Sequence, residues 1–301
     1  MRLLVLGKLC SVLLVAGLFA GSLGIAADVS SPSSPATQLY VVGVGPGDAD
    51  LVTLRALNVM KKADVLFCSD RIKEKFPAEF QGKQVVGGYW RLFPYYGQDP
   101  AKLQGEERRE AEELAVKRNE FIAKVRDAVS QGRTVAIVDS GDPLIYGPWA
   151  WCLEEFEDLR PVVVPGVSCF NAANAALRRG VTNGEHTKSV ILSAADWPGK
   201  TDTIDKLSLH HSTMALFTMR TDFEEFIKKL SVNYPAETPV AIVIQAGYAE
   251  KEQVIEGTLG TILSQVGQKD VPFEYMIYVG DFLTYRQKKT AQGEREPRSQ
   301  R

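Results

Sequence analysis

The stretch "LYVVGVGPGDADLVTLRAL", residues 39–57, contains a strand, a tight turn and the start of a helix. An apolar run precedes the turn, and apolar residues recur at helical spacing after it. The glycines of the turn are Gly43, Gly45 and Gly47. This G-x-G-x-G spacing differs from the G-x-G-x-x-G of the nicotinamide dinucleotide loop, so it argues against a nicotinamide oxidoreductase.

Alternation of strand and helix continues along the chain. Seven further apolar runs are predicted to form strands: 63–69, 134–140, 161–166, 189–194, 213–219, 239–245 and 275–280. Their unbroken apolar character is typical of strands buried on both faces. Amphipathic segments predict helices at 51–63, 149–159, 170–180 and 222–231. The alternation predicts an α/β fold.

One block, residues 87–130, has a different composition. From Glu106 to about Val129 it reads as a long charged helix with a thin apolar stripe at Leu114, Phe121, Val125 and Val129. Five aromatic residues precede that helix: Tyr89, Trp90, Phe93, Tyr95 and Tyr96. Such a segment either packs as a lid or dimer contact or lines a pocket for a flat ligand, and packing is favoured.

The two ends of the chain differ from its centre. Arg2 and Lys8 precede an apolar run that gives way to small residues, which predicts a signal peptide over 1–27, cleaved after Ala26 or Ala27. The alternative is an uncleaved membrane anchor, because Leu9 to Ala27 is long enough to span a bilayer. A Ser/Pro-rich spacer follows at 28–37, and a polar tail predicted to be disordered occupies 286–301. The sequence therefore predicts an exported, periplasmic protein, or a membrane-anchored one.

Composition excludes some classes of function. The chain has 301 residues, 24% of them charged, and a formal net charge of −2, so it lacks the basic excess of a nucleic-acid-binding protein. Its cysteines show no C-x-x-C spacing, and its three histidines are scattered. No metal site is predicted, and Cys68, Cys152 and Cys169 are read as small buried residues.

Ligands of open α/β sheets bind beyond the carboxyl ends of the strands, so the residues that follow each predicted strand are candidates for the site. Several combine glycine, proline and small polar residues, as is common where backbone approaches a ligand. These segments are 43–48, 69–71, 140–147, 165–173, 219–221 and 245–248.

In their order and spacing, these segments resemble the tetrapyrrole methylases, S-adenosylmethionine-dependent enzymes that methylate uroporphyrinogen and precorrins. The resemblance covers residues 38 to 283. It rests on "GVGPGDADLVTLRAL", "SGDPLIYG", "VVPGVSCFNAANAAL", the strand ending in Met219, "PVAIVIQAG", the "GTL" at 257–259 and "YVGDFL".

The resemblance implies two α/β domains, here 38–164 and 165–285, with S-adenosylmethionine in the cleft between them, in a homodimer. The residues that match the family's cofactor positions are Pro46, Ser140, Gly141, Asp142, Ile145, Ser168, Cys169, Met219 and Gly247. Since the cofactor carries no pyrophosphate, the resemblance also accounts for a glycine turn of unusual spacing.

Methyl transfer requires that nucleophile and methyl group be held in a near-attack geometry, and a base would assist it. Asp70 is the candidate base, with a helix-capping role as the alternative. Arg71 and Arg91 are candidates to pair with the carboxylates of a tetrapyrrole.

The predicted export is in tension with a cofactor made in the cytoplasm. Two functions therefore stay open from sequence: a methyltransferase acting on a tetrapyrrole or corrin precursor, and an exported, non-catalytic sensor or carrier that uses the same cleft. The sequence does not identify the carbon that would be methylated.

Overall fold

The computed structural model describes residues 38–218, 223–267 and 271–286, all within one compact unit, Thr37–Arg301. The predicted signal peptide, the spacer and residues 287–301 of the predicted tail lie outside the described residues. Ten strands form two five-stranded sheets. The strands are β1 (Leu39–Gly43), β2 (Val65–Phe67), β3 (Gln84–Val86), β4 (Val135–Asp139), β5 (Val162–Val164), β6 (Val190–Ala194), β7 (Thr213–Phe217), β8 (Pro239–Ile244), β9 (Gln253–Thr258) and β10 (Tyr275–Val279).

The first sheet, in the order β3-β2-β4-β1-β5, is parallel throughout. The second sheet, in the order β6-β7-β10-β8-β9, is parallel only between β6 and β7. All eight predicted strands are present, and the α/β class is confirmed. The unbroken apolar runs did not reveal that β10 is antiparallel to both neighbours, because a central strand is buried on both faces in either orientation.

The described helices are α1 (Leu54–Lys62), α2 (Asp70–Lys75), α3 (Pro77–Phe80), α4 (Gly105–Ser130), α5 (Trp151–Glu155), α6 (Cys169–Leu177), α7 (Ile204–Ser208), α8 (Phe223–Leu230) and α9 (Ile262–Val266). Single 3₁₀ turns lie at Ala49–Leu51, Pro100–Lys102, Glu157–Leu159 and Asp281–Leu283. The helix predicted at 149–159 is shorter than expected, since it consists of α5 followed by a 3₁₀ turn.

The aromatic segment before α4 is packed in part and exposed in part. Tyr89 and Tyr96 lie against a core centred on Phe121, whose ring is 5.0 Å from that of Phe67. The buried Arg118 guanidinium of α4 donates to the carbonyls of Leu92 and Pro94 at 2.9 and 2.6 Å. A second group of exposed aromatic side chains, Trp90 and Phe93, extends from the same segment.

Candidate functional site

In each sheet, loops that follow several strands come together at one edge. Strands β1, β2, β4 and β5 are parallel, so their following loops share one edge of the first sheet. In the second sheet β7 and β8 both pair antiparallel with β10 and so run in the same direction. The segment after β8 is described, whereas Met219, in the segment after β7, lies outside the described residues.

Three loops of the first sheet pack backbone against backbone. The N–H of Gly45 donates to the carbonyl of Gly141 at 3.3 Å. A Cβ on Gly43 would lie 2.5 Å from that same carbonyl oxygen, and one on Gly166 would lie 2.0 Å from it. Side chains at these positions would collide with backbone, so this crossing accepts only glycine. The close packing explains the glycines at 43 and 166, whereas the glycine at 141 suits its positive φ of +68°.

The first loop also touches the second sheet. Pro46 is buried, and the N–H of Asp48 donates to the carbonyl of Gly247 at 2.8 Å. A carboxylate oxygen of Asp48 accepts from the N–H of Ala249 at 2.8 Å. Pro46 and Gly247, two predicted cofactor residues, are thereby brought together from opposite ends of the sequence.

The loop after β4 extends towards the second sheet. Asp142 accepts a hydrogen bond from the N–H of Leu144 at 2.9 Å, which closes an Asx turn. Ile145 packs against the core of the second sheet, and the ring of Tyr146 lies 4.6 Å from that of Phe217. Four predicted residues, Ser140, Gly141, Asp142 and Ile145, thus lie on one short loop between the two sheets.

The two predicted cofactor residues after β5 also have structural roles. Ser168 is buried, and its hydroxyl accepts from the N–H of Phe170 at 3.2 Å, which caps α6. Cys169 packs against the core of the second sheet. Burial raises the pKa of its thiol to about 11, so it is neutral at physiological pH.

The three candidates for substrate chemistry occupy different surroundings. Asp70 is the first residue of α2 and is exposed, with Ser69 in the capping position. Arg71 forms an ion pair with Glu274 and a hydrogen bond with the Tyr248 hydroxyl, so it bridges the first sheet's α2 to the second sheet. Arg91 is exposed in the aromatic segment.

Sequence reasoning missed two charged residues near the strand ends. Asp139 is the last residue of β4 and is buried, and burial raises the pKa of its carboxyl to about 7. Lys75 of α2 reaches within 3.5 Å of the carbonyl oxygen of Gly45, and burial lowers its pKa to about 8. The signal for Asp139 was present in the sequence, because an acidic residue directly ends an apolar strand and precedes "SGDP".

Asp139 opens onto a cavity of about 150 Å³ at the edge of the first sheet. Its wall is formed by the strand ends, the start of α2 and the aromatic segment. The lining residues are Phe67, Cys68, Ser69, Asp70, Val86, Gly88, Tyr89, Trp90, Val138, Asp139 and Trp149.

The described ranges hold neither a cluster of metal-ligating side chains nor a helix that could cross a membrane. No three or more His, Cys, Asp or Glu side chains in those ranges are grouped in a way that could hold a metal ion. The cysteines within them are unpaired. None of the helices in the described part of the chain combines the length and apolarity needed to cross a membrane.

Comparison with known proteins points to one family. Residues 38–263 match the family model of the tetrapyrrole (corrin/porphyrin) methylases. The cobalt-precorrin-4 C(11)-methyltransferase of Methanocaldococcus jannaschii is 28% identical over 254 residues, 82% of this chain and 88% of the relative. The precorrin-4 C(11)-methyltransferase of Pseudomonas aeruginosa is 27% identical over 254 residues, with 81% and 90% covered.

A solved structure agrees with these relatives. The X-ray structure of a cobalamin biosynthetic enzyme, the cobalt precorrin-4 methyltransferase CbiF, superposes with a TM-score of 0.64 at 25% identity. The alignment covers 81% of this chain and 95% of that one. The likeness therefore spans both sheets and the loops between them.

Proposed function

Because the chain belongs to the tetrapyrrole (corrin/porphyrin) methylases, we propose that it transfers a methyl group from S-adenosylmethionine to a carbon of a precorrin-4-type tetrapyrrole. Family membership shows that the protein is an S-adenosylmethionine-dependent C-methyltransferase of a tetrapyrrole precursor. The finer choice of substrate is supported by the two precorrin-4 methyltransferase relatives, each aligned over most of its length.

The residues present fit this cofactor. Gly141 has a φ of +68°, and a Cβ built on it would have no atom within 4 Å, so the loop presents bare backbone to open space. The carboxylate of Asp142 lies one residue further on, and apolar contact is available from Ile145 and Cys169. An amine and ribose need such acceptors, and adenine needs such apolar contact.

We propose that the cofactor is held by the residues inferred from the resemblance: Pro46, Ser140, Gly141, Asp142, Ile145, Ser168, Cys169, Met219 and Gly247. When bound, S-adenosylmethionine supplies an electrophilic methyl group on a sulfonium. The chain's own loops orient it, because the loops after β1, β4 and β5 pack backbone against backbone at Gly43, Gly141 and Gly166. The Ser168 hydroxyl caps α6 by accepting from Phe170, and its own O–H can still donate to the cofactor.

Isothermal titration of S-adenosylmethionine into the protein tests the cofactor site. We expect micromolar binding that Asp142→Ala weakens at least tenfold, since a charged hydrogen-bond partner is lost. Asp142→Asn keeps the acceptor for Leu144 and so separates the charge from the Asx turn, and Glu113→Ala on the exposed face of α4 is the control. Unchanged affinity in Asp142→Ala would contradict the placement of the cofactor.

The substrate is tested by methyl transfer. Labelled methyl groups should pass from S-adenosylmethionine to cobalt-precorrin-4 and more slowly to uroporphyrinogen III. Transfer to neither macrocycle, by protein that binds the cofactor, would contradict the proposed function.

We also propose that residues 1–27 direct export to the periplasm with cleavage after Ala26 or Ala27, and that the mature protein is a homodimer. The export proposal rests on the charged, apolar and small-residue order of this segment. The homodimer proposal rests on the resemblance to the tetrapyrrole methylases. N-terminal sequencing after expression and fractionation tests the cleavage, and sedimentation tests the dimer. An uncleaved chain in the membrane fraction would favour the anchor instead.

A further inference from the structure

Asp139 sits where a buried strand meets the cofactor loop. In β4 it follows Val135 and Ile137 at spacings of two, so its side chain leaves the sheet on the same face as theirs. Its carbonyl accepts from the N–H of Val44 at 2.9 Å, and its sequence position is two residues before Gly141. The carboxyl is thus fixed by the same backbone that forms the proposed cofactor loop.

The surroundings of this carboxyl are unusual for an acid. Asp139 is 8% exposed, and its side chain accepts one hydrogen bond within the described part of the chain, from the N–H of Ser140 at 2.9 Å. Trp149, 3% exposed, also lines the cavity. A buried carboxyl with a single hydrogen-bond donor retains acceptor capacity, so Asp139 can accept a further hydrogen bond from a ligand in the cavity.

The size of the cavity limits what can enter. An apolar protein cavity of about 150 Å³ takes up benzene, so this one, of about 150 Å³, admits a single pyrrole-sized ring and not a whole macrocycle. Phe67, Tyr89, Trp90 and Trp149 provide aromatic faces for such a ring. Trp90 is 49% exposed, which places it at the mouth.

Other titratable groups face the same space. Burial raises the pKa of the Cys68 thiol to about 11 and that of the Tyr89 hydroxyl to about 12, so both are neutral near pH 7. Asp70 is an exposed carboxyl at the start of α2. Unlike the Cys68 thiol and the Tyr89 hydroxyl, Asp139 changes charge near neutrality, because its burial raises the pKa of the carboxyl to about 7.

We propose that Asp139 is the catalytic proton acceptor of this methyltransferase, and that the cavity holds one ring of the tetrapyrrole against it. The inference rests on the proposed function. In the step assigned to Asp139, a C–H or N–H bond of the ring breaks and its electron pair stays in the macrocycle. The proton forms an O–H bond on the carboxylate. A ring carbon forms a bond to the methyl group as the methyl–sulfur bond breaks and its electron pair stays on sulfur, and the positive charge of the sulfonium leaves the macrocycle with this proton.

The first test compares Asp139→Asn with the unaltered protein, using cobalt-precorrin-4 and labelled S-adenosylmethionine. Asparagine keeps the shape and the acceptor for Ser140 but cannot take up a proton. We expect the rate of methyl transfer to fall by about 10² to 10⁴-fold, the contribution typical of general base catalysis, while cofactor affinity by titration changes less than about twofold. Asp70→Asn, which alters another carboxyl that lines the cavity, should lower the rate of methyl transfer less.

The second test does not depend on turnover. Carboxyl titration of the protein labelled with ¹³C-aspartate should show one resonance with a midpoint near pH 7 that is missing in Asp139→Asn. The pH profile of kcat/KM should rise through the same midpoint, because the carboxylate is the active form, and should be flat there in the variant.

Three results would overturn the assignment. One is a rate within threefold of the unaltered protein in Asp139→Asn, and another is a large loss confined to Asp70→Asn. The third is loss of cofactor binding together with activity in Asp139→Asn, which would make its role structural. Absence of methyl transfer by the unaltered protein would instead overturn the proposed function, and the ¹³C titration would still report whether Asp139 is a high-pKa acid.

Discussion

The N–H of Asp48 donates to the carbonyl of Gly247 at 2.8 Å, which joins the glycine turn after β1 to the turn after β8. The two residues are almost 200 positions apart in the chain. Gly47, in the first of these turns, lies so close to the second turn that a Cβ on it would be 2.0 Å from the Gly247 carbonyl oxygen. The proposed cofactor site therefore depends on this contact between the sheets.

Gly47→Ala should damage both stability and cofactor binding. Its φ of +61° costs an alanine about 1–2 kcal/mol, and the collision with Gly247 adds about 1–3 kcal/mol. Gly82→Ala is the matched control, because Gly82 has a φ of +72° with no atom within 4 Å of a built Cβ. Urea unfolding should show the larger loss in Gly47→Ala, with at least tenfold weaker binding of S-adenosylmethionine. Equal losses in the two variants would contradict this account of the contact.

Asp139 should make stability depend on pH. Its pKa is raised to about 7 in the folded state, against about 3.9 in an unfolded chain. The folded state therefore holds this proton longer, and the favourable contribution present at low pH is lost as the pH rises towards 7. Relative to Asp139→Asn, the unaltered protein should lose about 2–3 kcal/mol between pH 5 and pH 8, as measured by urea unfolding. A constant difference between the two proteins would show that the carboxyl titrates normally.

Phe121 should carry much of the stability of the first sheet's core. Its buried ring contacts Phe67, Trp149, Trp151 and Phe156 with centroids 5.0, 5.4, 5.8 and 6.2 Å away. Phe121→Ala should cost about 3–5 kcal/mol. On the same helix, Val116 is 69% exposed, and Val116→Ala should stay within about 0.5 kcal/mol in the same unfolding experiment. A much smaller loss of unfolding free energy in Phe121→Ala would mean that neighbouring side chains move to fill the cavity left by the ring.

The ion pair between Arg71 and Glu274 should contribute little to stability. The two side chains are 62% and 31% exposed, so solvent screens their attraction. A double-mutant cycle with Arg71→Met and Glu274→Gln should give a coupling of about 0.2–1 kcal/mol. Coupling above about 2 kcal/mol would instead show that this ion pair helps to hold the two sheets together.

The strands that the sequence analysis missed lie at the edges of the sheets. Strands β3 and β9 went unpredicted, and both are edge strands. Residues of β3 are partly or fully exposed, and β9 has a similar pattern, so neither carries a continuous apolar run. The central strands were found because burial on both faces demands such a run.

The sequence alone determined the α/β class, eight of the ten described strands, including the edge strands β5 and β6, and the order of the loops that identify the family. Those features are local, since apolar periodicity and glycine spacing are written along the chain. Only the tertiary structure decided the antiparallel pairing of β10, the bridge from Arg71 to Glu274 and the burial of Asp139. Each depends on which distant segments come into contact and how much water they exclude, and no local pattern encodes that. For Asp139 the consequence is chemical, because exclusion of water changes an ordinary carboxyl into one that holds its proton near neutral pH.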